Sequence, residues 1–133
     1  MATKYKGSVI GLSVDEIADA AVLGNTFVKV TAGGQGVTTC GAGQLALGVA
    51  KFDAGADPAG LTQTLWTTVH LDGLHPVVAS AAIAAGARVM SDANGNAVTY
   101  AAGAGVFSRG IARTAAVNPG DIIEVFLQSP AQG

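Results

Sequence analysis

The sequence has one cysteine, four prolines and one tryptophan in 133 residues, and only 12% of its residues are charged. Each scarcity removes a class of function. The single Cys40 excludes an intramolecular disulfide framework and any cysteine-built metal cluster, and it reads as a small apolar residue. Seven basic residues against nine acidic ones give no basic stripe of the kind that holds nucleic acid, so no nucleic-acid partner is expected. Long apolar runs are also missing. The longest, Val77 to Ala87, is mostly alanine and falls short of the roughly 20 apolar residues a membrane span needs. Met1 to Gly7 carries two lysines, but Asp15, Glu16 and Asp19 break the segment that follows, so no secretory signal is read and cytoplasmic synthesis is expected.

Chemistry-bearing motifs are equally scarce. No G-x-x-x-x-G-K-[ST] loop is present to cradle phosphates, and no serine sits in a G-x-S-x-G elbow. The available bases are His70 and His75, which read as surface histidines with no third metal ligand at a recognisable spacing. Asp53 and Asp57 lie close in sequence but lack the spacing and acidic twelfth residue of a calcium loop, so they read as turn residues. The sequence therefore assigns no catalytic, cofactor-binding or metal residue, and no enzyme or cofactor is expected.

What the chain does have is alanine and glycine, 26 and 19 residues respectively. Half the residues are hydrophobic, yet alanine, which buries little area per side chain, makes up a large share of them. At about 25 cal/mol per Å² of apolar surface, such a core stabilises a monomer weakly, and association of subunits is the natural way to bury more. The length suits a single domain, residues 1–133, with Met1 to Gly11 as an extended N-terminal arm.

The dominant pattern is β. Phe27 to Val30, Val37 to Cys40, Leu45 to Ala50 and Leu65 to Leu71 form a first strand group within residues 26–73. Leu65 to Leu71 alternates, with Thr67 and Val69 on one face and Trp66, Thr68 and His70 on the other. Gly73 and Pro76 bracket a bend. A second group, residues 84–128, runs through the Asp92 to Asn96 turn with its Asn94-Gly95 step, the Pro119-Gly120 turn, and a strand from Asp121 to Gln128. One short helix is expected near Val14 to Ala20, because Ser13-Val14-Asp15-Glu16 matches a capping box.

The two groups repeat each other. Val28 to Val49 aligns with Val89 to Ile111 at a shift of 61 residues, growing to 62, and Gly48-Val49-Ala50 falls on Gly110-Ile111-Ala112. The expected fold is all-β, a small barrel or sandwich of two related strand groups around one shared core, with Asp121 to Gln128 near the Leu65 to Leu71 strand.

The run Ala-Ala-Gly86-Ala-Arg-Val-Met, Asp92-x-Asn-Gly95, Gly110-Ile-Ala and Pro119-Gly-Asp-Ile-Ile-Glu-Val, with the earlier Gly48-Val-Ala and Val69-His-Leu-Asp-Gly73, resembles the small capsid cement, or head decoration, proteins of tailed bacteriophages. The resemblance covers roughly Thr26 to Gln128. It implies a non-enzymatic protein made in the host cytoplasm that binds the outside of an assembled capsid. Its partner would be the major capsid protein, bound as a homotrimer at local threefold positions and securing the shell against internal DNA pressure.

Trp66 and the arm residues Lys4, Tyr5 and Lys6 are the candidate capsid or subunit contacts. A large aromatic among polar neighbours fits an interface or burial beneath the arm. The arm itself fits either a disordered tail or a segment that orders on its partner. The alternative function is a carbohydrate-recognising or adhesive β-module on a virion or cell surface, with Trp66 as its stacking platform.

Overall fold

The computed structural model describes residues 12–55 and 66–132; the arm residues Lys4, Tyr5 and Lys6, and Asp57, lie outside them. Ten strands follow in order: β1 Ser13–Ile17, β2 Thr26–Val30, β3 Val37–Thr39, β4 Gly48–Ala50, β5 Trp66–His70, β6 Gly73–Val78, β7 Arg88–Ser91, β8 Ala97–Thr99, β9 Phe107–Ala112 and β10 Ile122–Gln132. They form two antiparallel five-stranded sheets with the same order, β1-β5-β4-β2-β3 and β6-β10-β9-β7-β8. Each sheet curls until its outer strands meet, through one parallel bridge: Ala18 to Val37 in the first, Ala79 to Ala97 in the second. The chain is thus two small barrels of identical topology.

The registers give the equivalences residue by residue. Ala50 pairs with Val69 as Ala112 pairs with Val125, and Gly48 meets Val28 as Gly110 meets Val89. Val22 bridges Ala54 as Ile83 bridges Ala116. Asn25 N–H donates to the Ala50 carbonyl, and Gly86 N–H to that of Ala112, both at 2.7 Å. These two residues share a left-handed backbone, φ 62° at Asn25 and 88° at Gly86, which asparagine and glycine adopt most cheaply. One detail departs from the sequence alignment. The turn after β7 is one residue shorter than that after β2, so Val37 is equivalent to Ala97 rather than to Val98. Asp92 closes that short turn by accepting the N–H groups of Asn94 at 2.7 Å and Asn96 at 2.9 Å.

The expected helix is not formed. Ser13–Ile17 is an edge strand paired along its whole length with β5. The capping-box side chains are used across strands instead: Ser13 Oγ bonds His70 Nδ1 at 2.9 Å, and Asp15 Oδ1 accepts the Thr68 hydroxyl at 2.8 Å. Cross-strand pairing satisfies the backbone that a helix of one or two turns would leave half unpaired. The bend expected around Pro76 is likewise strand. β6 is the outer strand of its sheet, so proline's missing N–H faces away from the ladder. β10 pairs with β6 and β9, not with β5; β5 is its counterpart in the other barrel.

The apolar interior is built of valine and alanine in two clusters rather than one. Ala18, Val22, Val28, Val37, Ala50, Ala54 and Val69 fill the first barrel. The equivalent residues of the second barrel fill it in turn, and Phe27, Cys40, Ala46 and Val49 from the outside of the first barrel join that second cluster. Phe27 is the largest fully buried side chain, so the junction between barrels uses the bulkiest residue available.

Candidate interaction surfaces

Trp66 stands on the outer face of β5, directly opposite Ile17 on β1, and is 53% exposed. Nearby on the same barrel, Leu23 and Phe52 are also exposed, on neighbouring loops tied by the Gly24 N–H to Asp53 Oδ1 at 2.8 Å. Asp53 therefore serves a turn. The residue equivalent to Trp66 in the second barrel, Ile122, is exposed as well. Scattered apolar residues are normal on a protein surface; here the tryptophan and an isoleucine, both exposed, face each other across two paired strands.

A groove of about 750 Å³ runs where the barrels meet, with Val30, Leu45, Leu71, Phe107 and Pro130 on its walls. Arg109 lies at its base, 7% exposed, and among the described residues no carboxylate pairs with it. Its guanidinium donates instead to main-chain carbonyls: Ala46 at 3.2 Å, Leu47 at 2.9 Å, Leu71 at 2.5 Å, and Gln128. Burial lowers its pKa from the ordinary arginine value, partly offset by the charge of Asp72. Three of those carbonyls belong to the first barrel and one to the second. Arg109 is a staple between them, and no sequence signal marks it, because its counterpart in the first barrel is the unremarkable Leu47.

The two histidines come together. Their rings stack with centroids 3.7 Å apart and planes within 2° of parallel. His75 Nε2 donates to the Asp72 carbonyl at 2.7 Å. Ser13 and His70 are within hydrogen-bond reach, but among the described residues no carboxylate orients His70: Asp72 Oδ1 instead accepts the Leu12 N–H at 2.6 Å. The constellation lacks the orienting acid of a nucleophile–base–acid triad. Among the described residues no group of three metal-ligating side chains occurs. Burial, then the neighbouring His75 and Lys51, lower the His70 pKa to about 4, and burial lowers that of His75.

That shift predicts a pH dependence. Because the folded-state pKa of His70 lies below the unfolded value near 6.5, the folded state holds fewer protons, and its stability is intact above pH 6.5 and is lost as pH falls from 6.5 through 4. Urea midpoints measured across this window are expected to fall more steeply for the wild type than for His70→Gln. Parallel curves would show that the stacked pair does not couple to folding.

A model of the phage cement protein family matches residues 9–127. The chain belongs to the phage cement protein family. It is accordingly a structural protein of the phage capsid. The cement protein's fold is also that of a solved phage protein, the head fiber gp8.5 N base of bacteriophage phi29, with a TM-score of 0.67 over 92% of this chain and 98% of the other, at 16% sequence identity. No curated protein matches the cement protein in sequence.

Proposed function

We propose that this cement protein binds the outer surface of an assembled phage capsid as a homotrimer and bridges neighbouring copies of the major capsid protein. It is made in the host cytoplasm and acts after shell assembly, as a single domain without catalysis or cofactor. The observation that carries this reading is the family match across residues 9–127. The exposed Trp66–Ile17 pair and a thin valine and alanine core support it, since both gain from a partner surface. Each bound copy adds interface area between shell subunits and so raises the free energy needed to separate them.

Trp66, with the arm residues Lys4, Tyr5 and Lys6, supplies the contact in this reading. Heads lacking the protein, mixed with the pure chain and sedimented, are expected to bind it to saturation and to resist heat better. Trp66→Ala is expected to weaken binding by about 2 kcal/mol, roughly 30-fold in Kd. Absence of co-sedimentation would sink the proposal. A carbohydrate-binding module would instead lose glycan-array signal in the same variant, but Trp66 is not on the groove wall, where a sugar would be enclosed.

A further inference from the structure

We propose that copies of this chain join head to tail through a repeat of the junction that joins the two barrels within one chain, with Arg88 of one copy meeting Glu16 of the next. This deepens the oligomeric part of the reading above and does not require the capsid as a partner.

Inside the chain, the first barrel offers one face and the second barrel a different one. The Asn25 carbonyl accepts the Val78 N–H at 2.9 Å, Phe27 N–H donates to the Gly95 carbonyl at 2.7 Å, and Gly43 N–H donates to the Ser91 carbonyl at 2.9 Å. The Cys40 carbonyl accepts the Ser91 hydroxyl at 3.3 Å. If the two barrels were paired isologously, the equivalent positions Gly86, Arg88 and Gly105 would in turn meet Ile17, Gly34 and Val30.

They do not. Among the described residues, a Cβ built on Gly34, Gly86 or Gly105 meets nothing within 4 Å, whereas one on Gly95 meets the Phe27 carbonyl at 2.8 Å and one on Gly43 meets Val106 at 3.0 Å. Burial shows the same asymmetry at three of the junction positions. Phe27 is fully buried and Arg88 exposed; Val49 is buried and Ile111 half-buried; Ser91 is buried and Val30 49% exposed. The contact is therefore heterologous, and each chain carries an unused copy of both faces. A heterologous contact repeated between copies builds a ring, or a filament if the rotation does not close.

The chemistry of the two unused faces is complementary. Within the chain β2 lies against β6, and Phe27 and Val77 share one apolar cluster. Their equivalents are Arg88 on β7 and Glu16 on β1, a guanidinium and a carboxylate. Arg88 is held ready on its face, 4.4 Å above the Tyr100 ring and 2.7 Å from Ser108 Oγ. Around this pair, Ile17 and Val30 on one face and Tyr100 and Ile111 on the other provide the apolar contact.

Light scattering and native mass spectrometry of the full chain are expected to find a closed assembly of three or more copies. Arg88→Glu and Glu16→Arg are each expected to weaken association by about tenfold or more, and the double variant R88E/E16R to restore it. Val30→Glu disrupts the same face through an exposed side chain, and circular dichroism verifies that every variant is folded. A wild-type monomer or dimer overturns the proposal, as do single charge reversals that leave the assembly intact or a double variant that stays dissociated. Assembly without head binding would leave this junction standing and sink the capsid reading; head binding by a monomer would do the opposite.

Discussion

Replacing Arg109 with alanine is expected to destabilise the protein by about 3 to 5 kcal/mol, the cost of stranding buried polar partners. The guanidinium serves four carbonyls, those of Ala46, Leu47, Leu71 and Gln128, that come from three separate stretches of chain and both barrels. Without it these acceptors face one another across a groove base with no donor. At this chain length a loss of that size lowers the thermal midpoint by roughly 10 to 18 °C. Arg109→Leu separates hydrogen bonding from volume, because Leu47 already occupies the equivalent position in the first barrel. It is expected to cost nearly as much as alanine, since leucine fills space but donates nothing. Arg109→Lys retains donors without the planar fork and should lie between them. Urea unfolding of the three variants gives the order, and a leucine variant as stable as the wild type would show that the carbonyls do not need the staple.

The repeat was legible in the sequence where turn chemistry and small residues marked it, and illegible where side chains had diverged. Gly48-Val49-Ala50 and Gly110-Ile111-Ala112 aligned because both strands need the same close approach. The same repeat extends back to β1: Ile17-Ala18-Asp19-Ala20-Ala21-Val22 matches Val78-Ala79-Ser80-Ala81-Ala82-Ile83 at the shift of 61. That match was available and outweighs the capping box, which is a four-residue signal that a strand can imitate by chance. Its consequence would have been a strand at Ser13–Ile17 and a second one at Gly73–Val78.

The surfaces were harder to read. Alternation puts Trp66 with Thr68 and His70 on the face opposite Thr67 and Val69, and β5 keeps that alternation. The His70–His75 stack was not legible, since it depends on β5 and β6 lying in different sheets with their rings brought together by the turn at Gly73. Nor could sequence distinguish Phe27 as a junction residue from any other apolar strand residue. That distinction needs the comparison with Arg88, which exists only once the registers are known.

The second large effect is expected at the paired strand glycines. An alanine at Gly48 would place its Cβ 2.0 Å from the His70 carbonyl oxygen, and one at Gly110 would place it 2.5 Å from that of Phe126. Both obstacles are backbone, so neither can swing aside, and the small barrel leaves no slack for strands to separate. Gly48→Ala is expected to cost about 3 kcal/mol or more and Gly110→Ala about 2, read as shifts in urea midpoint. Gly86→Asn is the control: glycine there is required by a left-handed backbone and not by space, and Asn25 already holds the matching position. That variant is expected to stay within about 1 kcal/mol of the wild type. A Gly48→Ala protein of undiminished stability would contradict the tight β4–β5 approach, and with it the barrel closure that turns Trp66 and the unused junction faces outward.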